Sequence, residues 1–463
     1  MSLTKVSFSM IQGAPVNVLD FGADPTGVAD STTAIQNAIN SVTTGRIYLP
    51  AGTYKTTTTI SLKNGVSIYG DGSGVTTISN ATANPIITIN SGSNIRFCKV
   101  SGITLYGGGS NTYGITASQW GNQDAMIDVE IYNCVVGVYL YACYNFKAEN
   151  CWIHNNTSHG LLATNATYSV EIRGTSFFQN GGDGVQINTS GGGQFLIENC
   201  DFESNVANQI NITAGRGINI LNNYFEGIQL ASGGKYGILV QSADTVWVDG
   251  NFWNYSNTNV QTWLYVQGSG TRVRWGKNNS FSSTTTNVTF VNFQAGSGYC
   301  EAILPSPPTG TFANGSSLNR VFFDPYTESG VFVYATAATT LVSSTWTTVT
   351  FPTVQQDLKS EWSSPTFTAK DFGDIEFLGA IGIASLATTA TVLIRLYDNA
   401  AGYEYARIVY ANTNNGNNAY PFHFKELIGN SQNMVIQVQI SDATNRSTTA
   451  TQYTQWMRVR RIS

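Results

Sequence analysis

The sequence predicts an all-β protein in which a β-solenoid is followed by an antiparallel β-sandwich. Three observations lead to this prediction. The composition is rich in glycine (46 residues) and in aromatic residues (12%) but contains only 11 prolines, which is typical of β-structure with many turns. Short runs of alternating apolar and polar residues recur in the middle of the chain. The last third of the chain contains longer alternating runs that lack this repeat.

The repeat is carried by five similar segments. They are AENCWIHNN, IRGTSFFQN, IENCDFESN, ILNNYFEG and VDGNFWNYS. Their equivalent positions are 24, 25, 23 and 28 residues apart, at Cys151, Thr175, Cys200, Asn223 and Asn251. A second set of short runs, from GLLAT to WLYVQ, lies between these segments. A period of about 20–30 residues made of short strands and turns predicts stacked coils that share one apolar core.

A short helix is predicted to cover the open end of the solenoid. The stretch ADSTTAIQNAIN (29–40) begins with Asp30 or Ser31 as the N-cap. Its apolar side chains at helical spacing are Ala34, Ile35, Ala38 and Ile39. Such a helix would shield the strand edges that the first coil otherwise exposes.

Two residue types at equivalent places in the coils have structural interpretations. Asn150, Asn199 and Asn222 occupy matching turn positions, which predicts an asparagine ladder along the solenoid axis. The six cysteines include no CxxC pair. We therefore interpret them as small core residues and expect neither a zinc site nor a disulfide framework.

The first coils resemble a known family. The segment VLDFGADPTGVADSTTAIQNAI, followed by GRIYLPAGTYKTTTTISLKNGVSIYGDGSGVTTI (45–78), resembles the N-terminal pattern of the pectate-lyase-like right-handed β-helix superfamily. It is most similar to the branch found in bacteriophage tailspikes and capsule depolymerases. The resemblance implies a right-handed parallel β-helix in the virion tail. TKVSFSMIQGAPVN resembles the junction to a virion anchor, which implies attachment to a phage tail or baseplate protein through the N-terminus; we expect the anchor itself to lie outside this sequence.

The C-terminal part resembles a different family. SPTFTAKDFGDIEFLGAIGI is similar to the core of complement-like and tumour-necrosis-factor-like jelly rolls, with Ile375-Glu376-Phe377 in place of the usual tyrosine segment. The resemblance implies a homotrimer; a carbohydrate-binding module is the alternative. The Pro-rich LPSPPTGTF separates the two parts. The predicted domains are an N-terminal arm (1–20), a β-helix with its capping helix (21–303), a connector (304–330) and a jelly-roll trimerisation or carbohydrate-binding domain (331–463).

The stretch ENCDFESN (198–205) contains three carboxylates in a chain that is only 11% charged. Residues two apart on a strand share a face. Two outward columns follow from the repeat: Trp152, Ser176, Asp201, Tyr224 and Phe252, and His154, Phe178, Glu203, Glu226 and Asn254. Glu203 and Glu226 then lie side by side, about 5 Å apart, with Asp201 one pleat away. One of two close carboxylates keeps its proton to higher pH, and glycoside hydrolysis requires a protonated acid beside an ionised one.

These considerations give a set of candidate residues. The predicted catalytic residues are Glu203, Glu226 and Asp201. The predicted substrate-binding residues are Trp152, His154, Phe178, Tyr224, Phe252, Asn254 and Arg173. Neither a metal nor a cofactor is expected. The spacing alone does not choose between retaining and inverting hydrolysis.

Several alternatives remain open. The protein is predicted to be a tailspike-type depolymerase that binds and cleaves a bacterial surface polysaccharide. One alternative is a receptor-binding spike without catalysis, in which the carboxylates form a solvated turn or the aromatic residues pack against another subunit. Another is a polysaccharide lyase in which Arg173 or Lys147 acts as a base beside a uronate. The net charge of −5 and the lack of an 18-residue apolar run lead us to expect no nucleic acid and no membrane insertion.

Overall fold

The computed structural model describes residues 14–89, 96–108, 113–119, 121–228, 235–254, 261–268, 270–282, 288–294, 296–304, 311–314, 319–323, 330–357, 361–369, 373–413, 416–428, 432–449 and 455–461. The chain divides into two compact units, residues 1–302 with 309–321 and residues 303–308 with 322–463. The predicted N-terminal arm and connector fall largely outside the described residues.

The first unit is a parallel β-solenoid of about ten coils, and its strands form three parallel stacks. Stack 1 contains Val16–Asn17, Gly45–Tyr48, Val66–Tyr69, Lys99–Gly107, Gly121–Tyr132, Tyr144–Glu149, Tyr168–Arg173, Gly193–Glu198, Ile210–Leu221, Ala243–Asp249, Val273–Trp275, Glu301–Leu304 and Arg320–Phe323. Stack 2 contains Thr26–Asp30, Gly52–Thr56, Thr76–Asn80, Trp152–His154, Ser176–Phe178, Asp201–Glu203, Tyr224–Glu226, Phe252–Trp253 and Ser280–Phe281, together with the second halves of Lys99–Gly107 and Gly121–Tyr132. Stack 3 contains Ile60–Ser61, Ile87–Ile89, Tyr113–Ser118, Val136–Tyr141, Leu161–Thr164, Val185–Asn188, Ile238–Val240, Gln261–Val266, Val288–Phe293 and Thr311–Asn314, together with the first half of Ile210–Leu221.

The core of the solenoid is a column of aromatic rings behind stack 2. The middle residue of each short strand points inward, and Phe177, Phe202, Phe225 and Trp253 are fully buried. Their ring centroids are 5.2, 5.2 and 4.2 Å apart along the column, and neighbouring rings are tilted by no more than 11°. Parallel strands repeat at about 4.8 Å, so one ring per coil produces a continuous stack. The inward positions predicted from the sequence are confirmed.

Two asparagine ladders line the turns. In each ladder the first two amide groups donate from Nδ2 to Oδ1 of the equivalent asparagine in the next coil, over 2.8–3.0 Å. The ladders consist of Asn156, Asn180 and Asn205, and of Asn223, Asn251 and Asn279. The residues predicted to form a ladder, Asn150, Asn199 and Asn222, instead have left-handed backbones with φ of 53°, 53° and 56°. They make the turn between stacks 1 and 2, because asparagine tolerates this conformation better than most residues.

The predicted capping helix is present. It runs from Thr32 to Asn40 after a 3₁₀ helix at Val18–Phe21, and it buries the four apolar side chains expected from its spacing. The Asp30 carboxylate accepts a 3.0 Å hydrogen bond from the Thr32 N–H at the first turn. The Gln36 amide accepts from the Ser61 N–H at 2.9 Å and donates to its carbonyl at 3.1 Å. The helix therefore satisfies backbone groups at the edge of stack 3.

All six cysteines are free and buried, as predicted. Burial raises the pKa of Cys134, Cys151 and Cys200 to about 12. The Cys200 Sγ–H lies 3.4 Å from the carbonyl oxygen of Ile172 in the preceding coil. These thiols fill space and remain protonated at neutral pH.

A column of glycines lets the turns before stack 3 approach one another. A Cβ atom on Gly160 would lie 2.6 Å from the Gly184 carbonyl oxygen and 2.9 Å from the Phe177 ring.

We expect Gly160→Ala to lower the free energy of unfolding by about 1–3 kcal/mol, because neither backbone nor ring can move aside freely. Urea unfolding of both proteins measures the change. Ser158→Ala, two residues earlier and half-buried, is the control and is expected to change stability by less than about 0.5 kcal/mol; an equal effect of both variants would contradict the steric explanation.

The second unit contains antiparallel sheets, as predicted for this region. One sheet has the strand order Thr353–Asp357, Gly330–Tyr334, Trp456–Arg461, Gly373–Leu386 and Gly416–Ile428. Another has the order Trp362–Ser363, Thr366–Thr368, Asn433–Ile440, Thr391–Asp398 and Tyr403–Ala411, with Thr347–Thr348 also paired to Asn433–Ile440. Thr340–Leu341 and Arg446–Ser447 form a short pair. The two larger sheets share one buried apolar core. The jelly-roll topology stays a prediction.

None of the helices within the described part of the chain has the length and apolar character needed to cross a membrane.

Candidate active site

The outward side chains of stack 2 between residues 104 and 280 form a surface that we call the acid face. Its first column runs through Thr104, Glu130, Trp152, Ser176, Asp201, Tyr224, Phe252 and Ser280. Its second column runs through Tyr106, Tyr132, His154, Phe178, Glu203 and Glu226. From Trp152 and His154 to Phe252 and Glu226, this strand register is the one predicted from the repeat.

Three carboxylates meet where the strands Asp201–Glu203 and Tyr224–Glu226 pair. Glu203 is directly opposite Glu226, and Asp201 is opposite Tyr224. Burial raises the pKa of Asp201, and the nearby Glu226 raises it further. Burial also raises the pKa of Glu203, with added repulsion from Asp201 and Glu226. Because adjacent coils are about 4.8 Å apart, these groups cannot all ionise without mutual repulsion.

Asp201 is the most constrained of the three acids. The Ser176 hydroxyl donates a 3.0 Å hydrogen bond to its Oδ2. Its Oδ1 is buried and has no hydrogen-bond partner in the structure. An unpartnered buried oxygen is costly on a carboxylate and less costly on a neutral carboxyl group, which agrees with the raised pKa of Asp201.

Glu226 has a different environment. The Tyr224 hydroxyl donates to Glu226 Oε2 over 2.5 Å, and Asn254 Nδ2 donates to the same hydroxyl oxygen over 2.8 Å. Burial and this bond to Glu226 raise the pKa of Tyr224, so the phenol remains a donor. The predicted site residues Tyr224 and Asn254 are therefore joined to Glu226 by one hydrogen-bonded chain.

The aromatic residues predicted to bind substrate surround the acids on the same face. Trp152 is 48% exposed and Phe252 is 37% exposed. The Phe178 ring packs against Trp152 with a centroid distance of 5.5 Å, and the Tyr224 and Phe252 rings stack at 5.8 Å. Clusters of exposed aromatic side chains commonly mark a binding site.

His154 lies in the wall of the acid face and is only 8% exposed. Its ring is stacked between Tyr132, at 5.0 Å, and Phe178, at 4.6 Å. Its Nε2 is 3.1 Å from Glu130 Oε1, and its Nδ1 is 2.7 Å from Asn155 Oδ1. Glu130, which also accepts from the Thr104 hydroxyl at 2.8 Å, was not predicted from the sequence. The sequence signal for it was present, since EIYNC (130–134) matches the end of the repeated segment one coil earlier.

Arg173 is not brought together with the acids. It ends a strand of stack 1 on the other side of the turn at Gly174. Its guanidinium is hydrogen-bonded to Glu198, and its Nε lies 3.6 Å from Glu171 Oε2.

A groove lies on stack 1 and does not coincide with the acid face. It has a volume of about 1000 Å³, and residues of successive coils line it. Left-handed backbones at Asn145, Ser169, Gln194 and Gly217 bend each strand there. Glu171, the carboxylate lining this groove, is paired with Lys147 at 3.1 Å. Because its acid is paired with a lysine, this groove has no equivalent of the three-carboxylate cluster.

Within the described residues, no group of three or more His, Cys, Asp or Glu side chains is arranged to hold a metal ion.

The acid face predicts a characteristic pH dependence of stability. Because burial raises the pKa of Asp201 in the folded chain, stability falls as the pH rises from the unfolded pKa, about 3.9, through the folded pKa. Asp201→Asn removes this loss, so we expect a higher melting temperature at pH 7 and no gain at pH 3. Thermal unfolding at the two pH values tests this, with Glu149→Gln as the control. If Asp201→Asn raises the melting temperature by the same amount at both pH values, the increase comes from packing rather than from ionisation of Asp201.

Comparisons with known proteins agree with the fold. A family model described as rhamnogalacturonase A/epimerase, pectate lyase-like, matches residues 15–95. None of the curated proteins matches the chain.

Solved structures extend the likeness over the solenoid. The surface adhesin PfbA of Streptococcus pneumoniae has 13% identity, covering 67% of this chain and 89% of its own, with a TM-score of 0.50. The A-module of the mannuronan C-5 epimerase AlgE6 of Azotobacter vinelandii has 19% identity, covering 67% and 99%, with a TM-score of 0.49. The tailspike protein gp49 of Acinetobacter baumannii bacteriophage Fri1, a capsular polysaccharide depolymerase, has 11% identity, covering 98% and 88%, with a TM-score of 0.43. At these identities the similarity concerns the fold.

Proposed function

We propose that the protein is a polysaccharide depolymerase that hydrolyses glycosidic bonds on the acid face. The observation that carries this proposal is the cluster of Asp201, Glu203 and Glu226, in which two acids have raised pKa values and the third accepts from a tyrosine. Acids with raised pKa values in one cleft are candidates for acid–base catalysis. The family model matching residues 15–95 supports a glycan as the substrate.

The proposed mechanism divides the work between two facing residues. Glu203, whose pKa is raised by burial and by the neighbouring acids, gives its proton to the glycosidic oxygen as the bond from this oxygen to the anomeric carbon breaks. Glu226, whose Oε2 accepts a hydrogen bond from the Tyr224 hydroxyl, either attacks the anomeric carbon or takes a proton from the attacking water. Repulsion from Asp201 adds to the effect of burial in raising the pKa of Glu203, which favours the protonated form that donates.

The aromatic residues position the sugar chain in this proposal. Trp152 and Phe252, the exposed rings at the two ends of the carboxylate cluster in the first column, stack on sugar rings. Phe178, Tyr224, His154 and Asn254 form the walls between them. Arg173 is assigned no direct contact, because it is held by Glu198 on stack 1.

We also propose the setting in which this activity operates. The resemblance of residues 45–78 to phage tailspikes supports a virion-tail protein that acts on a bacterial surface polysaccharide. The antiparallel C-terminal unit supports a homotrimer, because trimeric packing buries exposed sheet edges. Attachment to a phage tail or baseplate protein through the N-terminus completes this proposal.

The test is a spot assay of the purified protein on lawns of many encapsulated bacterial strains. Soluble products from each cleared zone are then analysed for reducing ends, ultraviolet absorbance and mass. Fragments with new reducing ends and one added water support hydrolysis. Unsaturated, ultraviolet-absorbing fragments would show a lyase instead. Binding to a strain whose glycan stays intact would show a receptor-binding protein without catalysis.

A further inference from the structure

The acid face has an uneven charge distribution. Its two columns, from Thr104 to Ser280 and from Tyr106 to Glu226, contain four carboxylates and neither a lysine nor an arginine. The carboxylates are Glu130, Asp201, Glu203 and Glu226. The lysines and arginines from residue 96 to residue 304 all lie elsewhere, at Arg96, Lys99, Lys147, Arg173, Arg216, Lys235, Arg272, Arg274 and Lys277.

Two cationic side chains in the coils next to the acids have carboxylate partners of their own. Lys147 is 3.1 Å from Glu171, and Arg173 is hydrogen-bonded to Glu198. Within the acid face, both ring nitrogens of His154 face oxygen atoms, those of Glu130 and Asn155. Over the described residues, the two columns therefore place no lysine or arginine beside Trp152, Ser176 or Asp201.

We infer that the glycan segment that crosses the acid face carries no anionic group and consists of neutral sugars. This inference rests on the proposed function, because it names the substrate class of the same site. A uronate, phosphate or sulfate at this place would lie within one or two coil spacings of several carboxylates and would find no arginine or lysine to bind it. Like charges brought together without a counter-charge cost several kcal/mol in an interface, which exceeds what one stacked sugar ring supplies.

The inference also bears on the reaction. Elimination requires a uronate and a group that neutralises its carboxylate as the adjacent proton leaves. The acid face supplies neither an arginine nor a lysine for that purpose. Hydrolysis of a neutral glycan needs only the acids that the face contains.

The first test measures the charge of the face without any glycan. Trp152 and Trp247 are the large exposed tryptophans of the described residues, and Trp247 pairs in register with Arg274 on stack 1. The fluorescence of each is isolated as the difference between wild type and Trp152→Phe or Trp247→Phe. For each tryptophan, the measured quantity is the ratio of the quenching constant for caesium to that for iodide. At about 0.01 M salt we expect this ratio to be higher for Trp152 than for Trp247. The difference should disappear near 1 M salt, where screening reduces the Debye length to about 3 Å. Equal or stronger quenching of Trp152 by iodide would overturn the inference.

The second test uses purified bacterial polysaccharides, some neutral and some containing uronates. Each acidic polysaccharide is also tested after its carboxyl groups have been reduced to alcohols. We expect reducing ends to appear only with neutral or carboxyl-reduced chains, at rates that change by less than about twofold between low and high salt. Cleavage of a native acidic chain with a uronate next to the new end would overturn the inference and leave the proposed function intact. Cleavage of no chain would contradict the proposed function, and the quenching ratio would still decide the charge of the face.

Discussion

Glu226→Gln is expected to lower the turnover number for glycan cleavage by about 10²–10⁴-fold, the usual contribution of a positioned acid or base. The amide keeps the size of the side chain and its contact with Tyr224, but it cannot accept a proton or attack the anomeric carbon. Glu203→Gln should cause a loss of the same order, because it removes the proposed proton donor. Binding of the glycan should change little, since Trp152 and Phe252 remain.

Release of reducing ends measures the rate, and titration of Trp152 fluorescence measures binding. Glu149→Gln is the matched control: Glu149 is a half-buried carboxylate on stack 1, separated from the acids by the turn, and we expect it to retain activity within about twofold. If both variants of the acid cluster cleave the glycan at the wild-type rate, the chemistry takes place at another part of the protein. If Glu149→Gln loses as much activity as Glu226→Gln, the loss does not depend on the position of the acid. It would then reflect the stability of the solenoid rather than catalysis by Glu203 and Glu226.

Phe202→Ala is expected to lower the free energy of unfolding of the solenoid by about 3–5 kcal/mol. Phe202 is fully buried, and its ring lies 5.2 Å from the rings of both Phe177 and Phe225. Truncation removes apolar contacts on both sides and leaves a cavity in a column that closes poorly, because each neighbouring ring is fixed by its own coil. Urea unfolding followed by circular dichroism measures the loss.

Two variants control this prediction. Phe202→Leu keeps most of the volume and should lose less than about 1.5 kcal/mol. Val206→Ala removes apolar atoms four residues away at a position that is 46% exposed, and should cost less than about 0.5 kcal/mol. A loss for Phe202→Ala no larger than that for Val206→Ala would show that the aromatic column contributes little to stability.

Much of the candidate site was predictable because a parallel solenoid repeats one environment in every coil. Once the inward residue of each short strand is known, its two neighbours must point outward, and parallel pairing places equivalent residues side by side. The position of Glu203 opposite Glu226 follows from this rule alone. The rule does not predict how deeply an outward side chain is buried. His154 was expected on the surface, yet the rings of Tyr132 and Phe178 in the adjacent coils cover it.

The ladders show where the sequence pattern was insufficient. Asn150, Asn199 and Asn222 occupy one turn position of the repeat, with Gly174 in the coil between the first two, and Asn156, Asn180 and Asn205 occupy another. Only the backbone decides which set can exchange amide hydrogen bonds along the axis, and the first set is placed in left-handed turns. In the second unit, alternation predicted antiparallel strands, but Gly373–Leu386 pairs with both Gly416–Ile428 and Trp456–Arg461. Such distant partners depend on the packing of the whole unit rather than on local sequence.

The buried thiols can be used to measure local opening of the solenoid. Cys98, Cys134, Cys151, Cys200 and Cys300 lie in different coils, and each is shielded in the folded chain. Alkylating reagents attack thiolates, so a coil becomes labelled only while it is open. The labelling rate of each cysteine, read by mass spectrometry, therefore gives the opening free energy of its own coil. Cys200, which directly precedes Asp201, would report whether the coil that carries the acids opens on its own or only when the whole column of coils unfolds.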